Sequence, residues 1–272
     1  MKRPLALDDP TQTDYEVRFD WGRAGLRSIA PGAGVIVVID SISFTTTIER
    51  AVTEGLAVTP YAGRRDEAVA AGEALTGADA VLAGPRGGSG VTLSPSSITP
   101  ESVAALGPVG RVVMPSFNGS RVAALAASYA VPVVAACLRN RSAVAQWILD
   151  RQRVLGARAK VAIVAAGEVR EDESVRFAVE DLLASGALVD ALAAVGIDAS
   201  SPEAAAACAA WQGLHRAAGH ILTASVSGRE LIDAGQRSDV ESAAEVDVSA
   251  AVPVLDPNLA GGTFVNGAGA TI

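Results

Sequence analysis

The sequence predicts a layered α/β/α fold with a mostly parallel sheet and a helix-rich C-terminal portion, and three observations point to it. Up to Gly167, short β-branched runs alternate with alanine-rich helical stretches. Strand–helix alternation of this kind builds a parallel sheet covered by helices on both faces. Val35-Ile-Val-Val-Ile39 is apolar at every position, which suits a strand buried on both sides rather than one. Beyond Gly167 the strand runs almost cease and helical stretches follow one another.

Taken in order, residues 1–13 are polar and punctuated by Pro4 and Pro10, and read as a flexible arm. Strands are expected at 35–39, 57–59, 80–83, 111–114, 131–135 and 160–164, with helices near 46–55, 65–75, 119–128 and 141–155. Helices follow at 174–195, 202–217, 228–235 and 238–245, then a strand at 251–255. The last stretch, Gly261-Gly-Thr-Phe-Val-Asn-Gly267, reads as a short edge strand. No repeat at solenoid spacing and no low-complexity linker divides the chain, so 14–272 is expected to form a single domain.

A chain of 272 residues that is 50% hydrophobic buries a core without disulfide or metal staples. Thirty acidic against 22 basic residues give a net charge of −8, which argues against a nucleic-acid footprint. Two cysteines, Cys137 and Cys208, are too few for a metal cluster or a multi-bridge framework. No apolar run approaches the ~20 residues of a membrane span, and the apolar stretch at the N-terminus ends too soon for a signal peptide. A cytoplasmic protein with no membrane partner is therefore expected, and its alanine-rich α/β character favours a homo-oligomer.

Four segments could carry chemistry. Asp40 follows the 35–39 strand and precedes a hydroxyl-rich turn, Ser41-Ile-Ser-Phe-Thr45-Thr46-Thr47. Ligands of open α/β sheets bind beyond the carboxyl ends of strands, and a helix N-terminus beside them attracts anions. Thr46 and Glu49 also fit a capping box, which explains both without a ligand. Asn118-Gly119-Ser120 forms a second strand–turn–helix junction, suited to an anion or to an ordinary turn. Arg86 sits in the glycine-rich turn Gly84-Pro-Arg86-Gly-Gly-Ser-Gly90, where its guanidinium could fork onto a phosphate or carboxylate. Finally, Glu180 and Asp181 lie on a stretch apolar nearly all round, where an unpaired carboxylate is costly. A cation is expected beside Asp181, either an arginine or a metal such as Mg²⁺.

Other features lead nowhere. Ala143 stands where a cysteine phosphatase reading of Cys137 needs an arginine, and Ile42 where an aspartyl phosphatase needs a second aspartate. His215 and His220 are five apart, on different helix faces. Ser227-Gly-Arg-Glu230 reads as another capping box, and no serine has a nucleophile-elbow context.

The ordered set of motifs resembles the 2-phosphosulfolactate phosphatase (ComB-type) family. The similarity lies in Val37-Val-Ile-Asp40 with Thr45–Thr47, in Arg86-Gly87-Gly88, in Asn118-Gly119-Ser120 and in Glu180-Asp181 followed by Ser185-Gly186. Gly228-Arg-Glu-Leu231, Asp239, Asp247 and Val252-Pro253 complete it, so that it spans roughly 34–255 in collinear order. The resemblance implies a Mg²⁺-dependent phosphatase of a small phosphorylated 2-hydroxy acid, with 2-phospho-3-sulfolactate giving 3-sulfolactate and phosphate. On that footing Asp40, Glu180 and Asp181 would surround one Mg²⁺, with Asp40, Arg86 and Asp181 as the catalytic set. Thr45, Thr46 and Thr47 with Asn118, Gly119 and Ser120 would cradle the phosphate, while Arg86 stabilises developing charge. Asp40 could be ligand, base or nucleophile. The chain departs from the family pattern at Ser43, where an arginine is expected, at Pro85, where an acid is expected, and at Leu93-Ser-Pro-Ser-Ser97. Those departures leave two alternatives: a phosphatase of another phosphomonoester, or a non-catalytic anion-binding relative.

Overall fold

The structure is a computed structural model that describes residues 11–71, 77, 79–170, 172–259 and 261–268. Nine strands form one sheet: β1 (Val17–Trp21), β2 (Val35–Ile39), β3 (Ala57–Tyr61), β4 (Ala80–Leu82), β5 (Arg111–Pro115), β6 (Val133–Ala136), β7 (Val161–Ala165), β10 (Pro253–Asp256) and β11 (Thr263–Asn266). Their order is β1-β7-β2-β6-β10-β11-β3-β5-β4. Pairing is parallel within β1-β7-β2-β6 and within β3-β5-β4. A separate hairpin pairs β8 (Glu168–Val169) with β9 (Val175–Arg176).

Helices cover both faces, as the alternation predicts. Val35, Val37 and Ile39 of β2 pack with α6 (Arg141–Leu155), α7 (Val179–Ala194) and α8 (Pro202–Leu214). Ile36 and Val38 point the other way, against α1 (Gly22–Ile29), α2 (Phe44–Thr53) and α5 (Gly119–Ala127). Alternate residues of one strand thus feed two cores, which is why β2 is apolar throughout. The remaining α-helices among the described residues are α3 (Arg65–Ala71), α4 (Pro100–Ala104), α9 (Ala218–Ala224), α10 (Val226–Asp233) and α11 (Arg237–Ala244). Among the described residues no helix is long and apolar enough to cross a membrane.

Several expectations need correction. The 261–267 segment is not an edge strand: β11 lies between β10 and β3, antiparallel to both. Phe264 is fully buried and Thr263 Oγ1 shares a hydrogen bond with Thr59 Oγ1, so the segment fills the middle of the sheet. β1 escapes the sequence pattern because Arg18 interrupts it. Arg18 is nevertheless 1% exposed, its guanidinium satisfied by the carbonyls of Ile29 and Pro31. Residues 11–13 are not loose, since Gln12 bonds Phe19 through both ends of its amide and Thr13 O accepts from Arg18. The rest of the expected arm, 1–10, lies outside the described residues, as do 72–75 of the expected 65–75 helix. The 174–195 helix starts only at Val179, because Val175–Arg176 is claimed by the β8–β9 hairpin. α10 begins before the expected capping box: its cap is Ser225, whose Oγ accepts from Gly228 N, and not Ser227.

α7 and α8 meet backbone to backbone at Gly186, where a Cβ would stand 1.9 Å from Ala207 O. Gly186→Ala must force the helices apart, so its urea midpoint is expected to fall by the equivalent of about 1–3 kcal/mol, typical of an overpacked core. An unchanged midpoint would contradict the close approach.

Candidate active site

The site lies beyond the carboxyl ends of parallel strands, where loops of α/β sheets carry chemistry. The turn after β2 is built by its own threonines. Thr45 Oγ1 donates to Asp40 O, Thr46 Oγ1 to Ser41 O and Thr47 Oγ1 to Ser43 O, at 2.9, 2.7 and 2.8 Å. Thr45 and Thr46 have no solvent exposure and their protons are spent on backbone, so they shape the turn rather than face a ligand. Of the three, Thr47 alone lines the cavity. The Thr46–Glu49 capping box does not form either: buried Glu49 instead accepts from Arg139 Nε and Thr53 Oγ1.

Asp40 Oδ2 accepts the N–H of Gly119 at 2.9 Å. A Cβ on Gly119 would fall 2.1 Å from Phe44 Cδ1 and 2.6 Å from Asp40 Oδ2. Only glycine lets this amide reach the carboxylate. Asn118 turns its Nδ2 onto Glu168 Oε2 at 2.7 Å and receives the N–H of Val169 on Oδ1. Ser120, by contrast, is buried and donates to Met114 O. Asn118 and Gly119 therefore belong to the site, and Ser120 supports the strand behind it.

Asp40, Ser43, Thr47, Arg86, Asn118 and Glu168 line one cavity of about 250 Å³, closed on its other walls by apolar side chains including Phe44, Leu93 and Phe117. Glu168 was not anticipated. Its signal in the sequence was the same as that of Asp40: an acid just past an apolar strand, here after Val161–Ala165. Arg86 enters from the glycine-rich turn, with Nη1 on Asp239 Oδ2 at 3.2 Å and Nη2 on Ser43 Oγ. Asp239 is thereby tied to the site. Asp247 is not, since it bonds Arg141 and caps α6 through Ser142 N.

Asp181 and Glu180 stand behind this wall on the first turn of α7. The cation expected beside Asp181 is replaced by amides: Oδ1 accepts from Ser41 N at 2.7 Å and Oδ2 from Gly167 N at 3.0 Å. Backbone donors satisfy a buried carboxylate as an arginine would. Glu180 is only 3% exposed, and no hydrogen bond or ion pair engages its carboxylate among the described residues.

These acids press on one another. Burial, then the charges of Glu168 and Glu180, push Asp40 up to about 7 against the pull of the Gly119 amide and Arg86. Burial likewise raises Glu168, and raises Asp181 well above the usual carboxylate range, with Asp40 and Glu180 adding to it.

Fold and pocket define an α/β protein with a cleft that sets buried carboxylates against one arginine, the equipment of a hydrolase acting on an anionic substrate. A family model described as 2-phosphosulpholactate phosphatase matches residues 26–258. The chain is 36% identical to a probable 2-phosphosulfolactate phosphatase of Synechococcus sp. (strain CC9605), over 80% of this chain and 87% of that one. Relatives with the same description in Deinococcus radiodurans (32% identical) and Thermus thermophilus (30% identical) cover 82% and 81% of this chain, and 88% and 87% of their own lengths. The chain belongs to the 2-phosphosulfolactate phosphatase family, and with it to the phosphoric monoester hydrolases.

A pH dependence of stability follows from Asp40. Its folded value of about 7 exceeds its ordinary 3.8, so between those values the folded protein keeps a proton that the unfolded chain has lost. Stability must then fall as pH rises through that window. For protein kept in EDTA, the urea midpoint is expected to be higher at pH 5 than at pH 8. Asp40→Asn should be more stable than the parent at pH 8 and flatten the slope; parallel curves for the two proteins would disprove the assignment.

Proposed function

We propose that this protein is a Mg²⁺-dependent phosphatase of a small phosphorylated 2-hydroxy acid. The first substrate to assay is 2-phospho-3-sulfolactate, hydrolysed to 3-sulfolactate and phosphate, because it is the compound in the names of the relatives. One observation carries the reading: Asp40, Glu168 and Arg86 face the same cavity, while the buried Glu180 makes no ion pair among the described residues.

The donor set suits the metal. Among the described residues no three His, Cys, Asp or Glu side chains are arranged to enclose an ion by themselves. Mg²⁺ does not require that, because it takes one or two carboxylates and fills its other positions with water and phosphate oxygens. Asp40, which has Oδ1 uncommitted, and Glu180 would hold it, in place of the three-acid set that includes Asp181. Once bound, the ion supplies Lewis-acid neutralisation of phosphoryl oxygens.

The remaining steps fall to the chain. Arg86 grips non-bridging phosphoryl oxygens with the N–H groups that Asp239 and Ser43 leave free. The Ser43 hydroxyl and the apolar wall of Phe44 and Phe117 orient the organic portion. Glu168, fixed through Oε2 by Asn118, accepts on Oε1 a proton from the attacking water as the water oxygen bonds to phosphorus. The ester P–O bond breaks, and the departing 2-hydroxyl oxygen takes a proton from solvent. Cys137 and Cys208 are both free thiols, in keeping with the cytoplasmic setting expected of such an enzyme.

Phosphate release from 2-phospho-3-sulfolactate and a panel of other phosphomonoesters, measured with Mg²⁺ and with EDTA, tests this. Turnover is expected only with the metal. Asp40→Asn should lower kcat/KM by about 100-fold or more, as loss of a transition-state electrostatic group does. Glu180→Gln should raise the Mg²⁺ concentration needed. Turnover in EDTA, or an Asp40→Asn variant as fast as the parent, would remove the mechanism. Thermal stabilisation by phosphate with no ester hydrolysed would instead mark a non-catalytic anion binder.

A further inference from the structure

We propose that Asp239 is a positioning residue, the buried carboxylate that aims Arg86 at the phosphate. The proposal rests on the phosphatase reading in one respect: that Arg86 grips a phosphoryl group.

Asp239 has no solvent exposure and sits on α11, away from the strand ends that carry Asp40 and Glu168. A carboxylate so placed needs every acceptor position filled. Oδ1 accepts from Ser96 N at 3.1 Å and from Ser96 Oγ, and Oδ2 from Arg86 Nη1 at 3.2 Å. Arg86 is fastened a second time by Nη2 to Ser43 Oγ. One proton on each terminal nitrogen is thereby used, and a guanidinium has five N–H groups, so three stay available. The side chain is one-third exposed, so it is held at its anchors yet open to the cavity it lines.

Without those anchors the arginine would have little to orient it. Its turn contains Gly84, Gly87, Gly88 and Gly90, with Gly87 and Gly90 at φ of 73° and 71°. The segment just after this turn is docked onto the start of α11 by Ser94 Oγ, which donates to Gln236 Oε1 at 2.9 Å. At Gly87 a Cβ would approach Gln236 Nε2 to 3.2 Å. The helix therefore sets the place of the turn, and Asp239 sets the direction of its arginine.

Charge and geometry predict opposite signs here, which makes the test decisive. The negative charge of Asp239 by itself repels phosphate, so a mere electrostatic neighbour would bind phosphate more tightly once neutralised. A residue that aims Arg86 would bind it more weakly. Calorimetric titration of the full chain with inorganic phosphate, in Mg²⁺, gives the dissociation constants. Asp239→Asn and Arg86→Ala are each expected to weaken binding about tenfold, the loss typical of a charge-assisted hydrogen bond. The double variant should lie within about twofold of Arg86→Ala, because the two residues act as one unit. Ser96→Ala leaves the Arg86–Asp239 pair in place and should stay within about twofold of wild type. Should Asp239→Asn fail to fold, Arg86→Lys carries the test: it keeps the charge and loses the two-pronged anchorage, and must also weaken binding. Unchanged or tighter binding in Asp239→Asn or Arg86→Lys, or losses that multiply in the double variant, would overturn the proposal alone. A wild-type protein that binds no phosphate would instead remove the phosphatase reading beneath it.

Discussion

Asp181 accepts the N–H of Ser41 after β2 and the N–H of Gly167 after β7, so a single buried carboxylate on α7 ties together the ends of two neighbouring parallel strands. Asp40 immediately precedes one of those amides and Glu168 immediately follows the other. The separation of the two acids that face the cavity is therefore set from behind, by a side chain that does not line it. Gly119 performs a similar service from the far side, holding Asp40 by an amide that any larger residue would displace. The functional groups sit on loops, yet each loop is anchored to a helix or strand at the atom next to the one that matters.

That anchoring works against electrostatic preference. The charges of Glu168 and Glu180 raise Asp40, and those of Asp40 and Glu180 raise Asp181, with Arg86 the guanidinium acting on Asp40. Such crowding destabilises the folded state unless something neutral or positive settles among the acids. A proton does so at low pH, and a bound cation would do so at higher pH, where the carboxylates are ionised. Elsewhere the chain handles buried charge conventionally, as where Arg139 lies between Glu49 and Glu245. The contrast between a paired cluster in the structural part and an under-neutralised one beside the cavity is what singles out the second as the candidate site.

Much of this was legible in the residues. The apolar run of β2 and the strand–helix alternation give the layers, and Asp40 stands out as an acid at a strand's carboxyl end. What was not legible has physical reasons. β1 hid because Arg18 breaks its apolar pattern and is satisfied by carbonyls brought to it only by folding. The hydroxyls of Thr45 and Thr46 suggested a phosphate cradle, but a threonine in a tight turn can bond the carbonyl four or five residues back. Asp181 called for a counter-ion, and no sequence pattern reveals that two distant amides will stand in for it. Asp239 was noticed through the resemblance alone, because its partner lies 153 residues away in sequence.

The hairpin of β10 and β11 joins what would otherwise be two half-sheets, β1-β7-β2-β6 on one side and β3-β5-β4 on the other. Its strands span 253–266, later than every other strand among the described residues. Synthesis must therefore pass Asn266 before the backbone ladder can run unbroken from one edge to the other. Until then each half presents an open border of unpaired amides and carbonyls to its surroundings. The β10–β11 hairpin is thus the keystone of the sheet, and a nascent protein interrupted shortly before Pro253 would be left with two sticky fragments of sheet and nothing to close the gap.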